Sequence, residues 1–326
     1  MNFRKIQRTS SGTFFVCIPK DWAEKNGLDR GTSVSVTENI DGKLVINPKY
    51  DLERTPRVAV ITPSSFLDRV IIEKYLLGYD KIQIQAKDRI SPLDRERVKQ
   101  AAIRLVGLEI VEENHSKIVM QCLLESSTFP PQKILRREYS IAAGVHRDAV
   151  TALLEGNVEL AKNVVARDNE VNRLYFLLVR VLRTVIQNPI LSEKLGILPI
   201  DCLDYRLAAS LVESIGDHSA SIGEAVITLG GVKISGNLCE LIRQLHTVAY
   251  NAHENAINAV FYHNISVAES VRSKRETVES IFHEIEITIL DLPIEVGRRL
   301  LTVASSMRQI YDNSLDIADL VMLKLP

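Results

Sequence analysis

Paired cysteines are missing from this chain. Cys17, Cys122, Cys202 and Cys239 form no C-x-x-C pair, and each lies in apolar sequence. That excludes a thioredoxin-type redox motif and a zinc ribbon, and it predicts buried thiols in a reducing compartment. Long hydrophobic runs are missing too. The longest, residues 174–179, stops at Arg180, far short of the roughly 20 residues that a spanning helix needs. Residues 1–8 are polar and no apolar segment follows them, so neither a secretion signal nor membrane insertion is expected, and a cytoplasmic protein is. There is no excess of charge of one sign. With a net charge of −1, any surface for a polyanion must be local. A Gly-rich phosphate loop, G-x-S-x-G, H-E-x-x-H and a catalytic Cys/His spacing are all lacking, which points away from an enzyme.

What is present divides into three regions. Residues 1–50 read as short strands around one short helix. An apolar strand covers 14–18, Pro19 suits a helix entry, 20–26 form the helix, and Gly27 is placed to end it. Val34 and Val36 alternate with polar residues, and Asp41-Gly42 signals a hairpin into a strand at 43–46. So few large apolar side chains cannot build a core in fifty residues, which predicts pairing with a second copy as a homodimer. The region holds eight Lys or Arg (positions 4, 5, 8, 20, 25, 30, 43, 49) against five Asp or Glu (21, 24, 29, 38, 41). The excess is +3 per chain and +6 per dimer, which supplies several contacts to the phosphates of double-stranded DNA. The candidate DNA-binding residues are Arg4, Lys5, Arg8 and Lys20; the bland alternative is a solvated strand edge.

Residues 51–56 read as a linker. Between 57 and 128 the order is β-α-β-α-β-β, with strands at 58–61, 82–85, 108–111 and 118–124 and helices at 64–77 and 91–106, a small α/β connector domain without recognisable chemistry. From Phe129-Pro130-Pro131 onward the pattern is helical, with helices expected at 132–155, 157–187, 199–230, 236–263, 265–290 and 293–322. Long helices joined by short loops form antiparallel bundles. The third and sixth align without gaps, Ser-Ile-Gly-Asp217 lying over Gln-Ile-Tyr-Asp312. This internal repeat divides 131–326 into two three-helix bundles, about 131–230 and 235–326.

The helix at 199–230 carries the most informative stretch, Glu213-Ser-Ile-Gly-Asp217-His218. Leu203, Leu207, Leu211, Ile215, Ile222 and Val226 make one apolar stripe at helical spacing. Glu213 and Asp217 stack one turn apart, away from that stripe. Two adjacent carboxylates suit either a solvated face or a hard or borderline cation such as Mg, Mn, Fe or Zn. Asp168 differs, because it shares helical spacing with Val164, Val171 and Leu178. A buried carboxylate there needs a metal or a basic partner, Arg167 or Arg206. His246 and His253, two turns apart with no acid facing them, read as core or surface histidines rather than metal ligands, and Tyr175-Phe176 and Phe261-Tyr262 read as bundle packing.

Two segments resemble known families. Residues 153–174, which contain Asp168 and Asn172, resemble the second helix of PhoU domains, and Glu213-Ser-Ile-Gly-Asp217-His218 resembles the third-helix signature. The resemblance covers about 131–326 and implies an all-helical regulator of phosphate uptake whose E/D-x-x-x-D motifs bind metal clusters. Glu213 and Asp217 match the motif fully. Asp168 matches, while Asn172 stands for its second acid. In the second repeat the corresponding positions are Arg275, Glu279, Arg308 and Asp312, so a metal site would rest on Glu213, Asp217 and Asp168. Residues 4–48 resemble the AbrB/MazE/SpoVT swapped-hairpin domain through Arg8, Gly12, Val16-Cys-Ile18-Pro19, Gly27-Leu28-Asp29-Arg30-Gly31 and Asp41-Gly42-Lys43. That resemblance implies a two-chain β-barrel that binds DNA, or that caps a partner protein as antitoxins do. The combination is similar to archaeal-type phosphate uptake regulators. It implies a multidomain transcriptional regulator with a swapped-hairpin barrel, a small α/β domain and an all-α six-helix bundle. The alternative is a protein-only adaptor docked on a phosphate transporter or sensor protein, with residues 1–50 serving dimerisation alone.

Overall fold

The computed structural model describes residues 3–38, 42–48, 56–125, 128–232, 234 and 236–321. Asp41 of the expected hairpin turn, Lys49 and most of the linker lie outside them. By its contacts the chain divides into two compact units, residues 1–55 and 56–326.

The first unit holds two antiparallel strand pairs and one helix. β1 (Gln7–Arg8) pairs with β2 (Phe14–Phe15). β3 (Ser35–Glu38) pairs with β4 (Leu44–Asn47), Val36 facing Ile46. Between them runs α1 (Lys20–Lys25), entered from Pro19, and Gly27 follows with φ +66°. The apolar strand is shorter than its pattern suggested and ends at Phe15. None of the described residues of this unit is buried. Phe3, Phe14 and Leu44 are 85%, 67% and 68% exposed. A single copy of this unit therefore has no core of its own, as its composition implied.

The second unit begins with the α/β segment: β5 (Val58–Ile61), α2 (Leu67–Leu76), β6 (Lys81–Gln85), α3 (Pro92–Arg104), β7 (Leu108–Glu113) and β8 (Lys117–Cys122). The sheet order is β5-β6-β8-β7, parallel only between β5 and β6. Ser91 starts α3 by accepting the Asp94 N–H at its hydroxyl, with Pro92 next in the first turn. Ile82 and Ile84 alternate inward from β6 onto Leu67, Ile71 and Tyr75 of α2, forming a separate small core. Arg180 of the following bundle anchors this segment. Only 4% exposed, it donates to the Tyr75 carbonyl at 2.5 Å and lies 4.8 Å from the Tyr75 ring centre.

The bundle comprises α4 (Pro131–Glu155), α5 (Val158–Gln187), α6 (Pro189–Leu195), α7 (Asp201–Leu229), α8 (Asn237–Tyr262), α9 (Ile265–Arg272), α10 (Arg275–Thr288) and α11 (Ile294–Ala318). Two departures from the sequence pattern stand out. A short helix, α6, fills the expected 188–198 break, and the expected helix at 265–290 is broken at Ser273-Lys274 into α9 and α10. The repeat is plain in the caps. α4 and α8 both end on a left-handed residue, Gly156 and His263, and Asn157 and Asn264 then cap the next helix through the Leu160 and Val267 N–H groups. The repeats thus align 107 residues apart over their first two helices, as the difference between 156 and 263 shows.

One expectation about α7 is corrected. Ile215, Ile222 and Val226 are buried, but Leu203 and Leu207 are 60% and 48% exposed. The stripe continues past the stretch of α7 that other helices cover. The same helix carries two glycines a double turn apart where α5 comes close. A Cβ on Gly216 would lie 3.0 Å from Asp168 Oδ1, and one on Gly223 3.1 Å from the Ala161 carbonyl oxygen and 3.0 Å from Val164 Cγ1. Gly223→Ala gains about 1 kcal/mol of helix propensity, yet it pushes on backbone that cannot rotate away, an overpacking cost of about 1–3 kcal/mol. Chemical denaturation should therefore show a lower midpoint; a higher one would mean that α5 and α7 are not held this close.

Candidate functional site

α5 and α7 bring the sequence-predicted carboxylates into one neighbourhood. Asp168 takes neither expected basic partner: Arg167 bonds Asp148 at 2.6 Å, and Arg206 lies over the Tyr175 ring. Instead Asn172, one turn on, donates its amide to Asp168 Oδ2 at 3.0 Å. Asp168 Oδ1 is buried without a hydrogen-bond partner. Burial, with the Asp217 charge added, raises the Asp168 carboxyl to about 6. Glu213 is half-buried rather than on a solvated face. Burial first, then Asp217 and Asp168, raise it to about 7. Asp217 is the most exposed of the three; burial raises it too, opposed by His218.

A fourth carboxylate escaped the motif search. Glu138 on α4 is fully buried, and neither of its oxygens has a partner. Burial and then the Glu213 charge hold its carboxyl well above the usual range, opposed by Arg206. The signal for it was available, since Glu138 stands on the apolar face of α4 between Ile134 and Ile141 at helical spacing.

The corresponding place in the second repeat is neutralised by the protein itself. Arg308 bonds Glu279 at 3.2 Å, and although burial raises the Asp312 carboxyl, the Arg308 and Arg275 charges oppose that rise. In the first repeat Arg206 opposes the rise at Glu138 and Glu213 only as the last of the causes, and among the described residues it forms no ion pair with either. The donors of this repeat are hard carboxylate oxygens, one of them orphaned, which suit a hard cation. Among the described residues, however, no three His, Cys, Asp or Glu side chains converge closely enough to hold a metal ion. A cation would have to draw Glu213 and Asp217 toward Asp168.

The unbalanced charge makes a stability prediction. The raised Asp168 value costs folding free energy that grows as pH rises from ~4, where the unfolded chain ionises first, to ~6, and is fully present above that; below pH ~4 both states are protonated and the cost vanishes. Asp168→Asn keeps the shape and an oxygen to accept from Asn172. It should stabilise the protein by about 1–3 kcal/mol at pH 7.5, by roughly half as much at pH 5, and by little below pH ~4. An equal change in melting temperature at all three pH values would rule out repulsion as the cause.

Of the two alternatives for His246 and His253, core or surface, the structure gives the core: His253 is buried and His246 partly buried, in a chain of close polar contacts. Tyr139 Oη lies 3.0 Å from His253 Nδ1, His253 Nε2 lies 3.1 Å from His146 Nδ1, and His146 Nε2 lies 3.4 Å from His246 Nδ1. His146 and His253 are fully buried and are equivalent residues of the two repeats, meeting where α4 packs on α8.

In the first unit Arg4, Lys5 and Arg8 are exposed and make no ion pair among the described residues. Arg8 stacks 5.3 Å from the Phe14 ring centre, so β2 props up the arm. Lys20 lies 3.6 Å from Glu24, one turn along α1, which leaves it the weakest of the four candidates.

Comparison with known proteins agrees with this architecture. Residues 135–226, from α4 to α7, match the PhoU domain. The chain carries a PhoU domain. Residues 7–52 match the domain described as antidote-toxin recognition MazE, bacterial antitoxin, so a MazE/AbrB-type domain lies at the N-terminal end. Among solved structures, PhoU from Pseudomonas aeruginosa superposes with a TM-score of 0.54 at 19% identity, over 60% of this chain and 95% of that one. The phosphate transport system regulatory protein PhoU from Streptococcus pneumoniae gives 0.50 at 17% identity, over 59% of this chain and 91% of that one. At these identities the likeness is one of fold. No match to a curated protein was found. The PhoU domain associates the chain with regulation of phosphate transport. Among the described residues no single helix is long and apolar enough to cross a membrane; α5 with α6 passes that test only as a pair bent by 118°, and the apolar residues of α5 from Leu177 to Leu182 are buried in the bundle.

Proposed function

We propose that this protein is a cytoplasmic, homodimeric transcriptional regulator of phosphate uptake, binding DNA through its MazE/AbrB-type unit and taking its signal through the PhoU bundle. The observation that carries the reading is the state of the N-terminal unit. Its apolar side chains lie open, as they would if a second copy covered them, and three cationic side chains on its arm make no ion pair among the described residues. Two chains interleaved would bury Phe14 and Leu44 and place six such cations on one duplex. The bundle supplies the regulatory half. Asp168, Glu213 and Asp217 would hold a hard divalent cation, Mg or Mn before Zn or Fe because every donor is a carboxylate oxygen. No step of this reading is catalytic. Coupling requires a bundle with two states that both the signal and DNA bias.

The test is a titration of the full chain, with its mass measured by light scattering, against a short duplex at low salt. A dimer that binds saturably supports the reading. A dimer that leaves the duplex free at low ionic strength would reduce the N-terminal unit to a dimerisation device and the protein to an adaptor.

A further inference from the structure

The break between α9 and α10 opens a cavity of about 620 Å³ against α8. This size is ordinary for small-molecule sites. The polar groups facing it are Asn251 and Asn255 of α8, Ser270 and Ser273 around the end of α9, and Lys274 and Thr277 at the start of α10. No acid lines it. Lys274 has no ion pair, and the two Asn amides and the Thr277 hydroxyl have no hydrogen-bond partner among the described residues. The Ser270 and Ser273 hydroxyls donate to the Val267 and Ser270 carbonyls, leaving only acceptor capacity. The free donors are thus one ammonium, two amides and a hydroxyl.

The first repeat shows the same place closed. At the 107-residue offset Lys274 corresponds to Arg167, Asn255 to Asp148 and Asn251 to Gly144. Arg167 donates to Asp148 at 2.6 Å and fills the space beside Gly144, where a Cβ would lie 3.1 Å from the guanidinium. There the helix, α5, runs unbroken for 30 residues. In the second repeat the base is kept, its acid has become an amide, and the helix breaks although neither Pro nor Gly stands at the break. An ion pair has been exchanged for an open cavity with an uncompensated positive charge.

From this exchange we propose that the α8/α9–α10 cavity binds an oxyanion of the phosphate class, either free or as the phosphoryl group of a small metabolite. The anion takes the place that Asp148 holds in the first repeat. Lys274 supplies the charge, Asn251, Asn255 and Thr277 donate hydrogen bonds, and the remaining volume accommodates the body of a metabolite. The proposal goes beyond the regulatory reading and uses no residue of the N-terminal unit.

The experiment is calorimetry or equilibrium dialysis of the full chain in chloride buffer without divalent cation, with inorganic phosphate in one arm and ADP in the other. Binding of at least one probe is expected, and the stronger arm identifies the source of the anion. Lys274→Met should weaken it at least tenfold. Asn255→Asp, which recreates the ion pair that the first repeat tolerates, should do the same while the melting temperature is kept. Alanine at Arg4, Lys5 and Arg8 should leave it unchanged, so loss of DNA binding and loss of anion binding are read separately. Failure of both probes to bind at millimolar concentration, or binding within twofold of the unmodified protein in both cavity variants, overturns the proposal.

Discussion

Alanine at Arg4, Lys5 and Arg8 together should lower affinity for duplex DNA by a hundredfold or more near 0.1 M salt. Each phosphate neutralised by a cation releases condensed counterions, and log K falls by about 0.9 per contact for each decade of salt. Three cations per chain make at most six contacts per dimer, so the variant should also flatten the salt slope by up to about five. Lys20, tied to Glu24 at 3.6 Å, should matter less than any of the three. The slope separates this account from a folding defect. A variant that folds and dimerises, yet keeps the original slope, would show that the arm does not touch the phosphates.

The second large effect lies in the bundle. His146→Ala should cost about 3–5 kcal/mol at pH 7.5. It empties a fully buried site and strips partners from His253 and His246, adding unsatisfied polar groups to a cavity. The cost should shrink in acid. Burial, with the neighbouring histidines, holds His146 well below the usual range; burial lowers His253 to about 3; burial, with the Arg147 charge, lowers His246 to about 4. A histidine whose folded value is depressed contributes fully above the unfolded value near 6.5. That contribution is lost as pH falls toward the folded value, because the unfolded chain takes the proton first. Each affected imidazole then costs about 1.4 kcal/mol per pH unit, or roughly 4 kcal/mol for three by pH 5.5. Asp168 and Glu213 act in the opposite sense over the same window, gaining stability as they protonate. The total acid response of the unmodified protein is therefore shallow. The difference between it and His146→Ala isolates the histidine contribution in denaturation curves at pH 7.5 and 5.5. A difference independent of pH would mean that the three imidazoles are not held neutral by burial.

Much of this architecture was legible in the sequence. Helices recorded in long 3.6-residue periods, with Asn caps and Gly or Pro at their ends, came out within a few residues, because the bundle buries the face that the periodicity marks. The small α/β order was equally plain. So was the want of a core in residues 1–50, which composition alone implied. The break at Ser273-Lys274 was not legible, since no helix-breaking residue marks it. Nor was the exposure of Leu203 and Leu207, because periodicity records which face is apolar but not how far a neighbouring helix covers it. The acidic site was half visible. Glu213 and Asp217 stand one turn apart as their spacing implies, while Asp168 was joined to them only by the family resemblance. Their raised values, though, come first from burial where α5 and α7 pack closely at Gly216, then for Asp168 and Glu213 from the neighbouring carboxylates. Glu138, raised by burial and then by Glu213, is passed over by a search for i, i+4 acids because it stands alone on an apolar stripe. The missing partner of Asp168 was Asn172, the residue that departs from the acidic motif.

The central claim is that a MazE/AbrB-type unit directs a PhoU bundle to DNA. Its most direct test is selection of bound genomic fragments by the full chain, beside a chain lacking residues 1–50. The account predicts a small set of enriched fragments, concentrated upstream of phosphate-transport genes, with the full chain and none with the shortened one. Equal recovery by both chains, or no enrichment by the full chain at low salt, would contradict it.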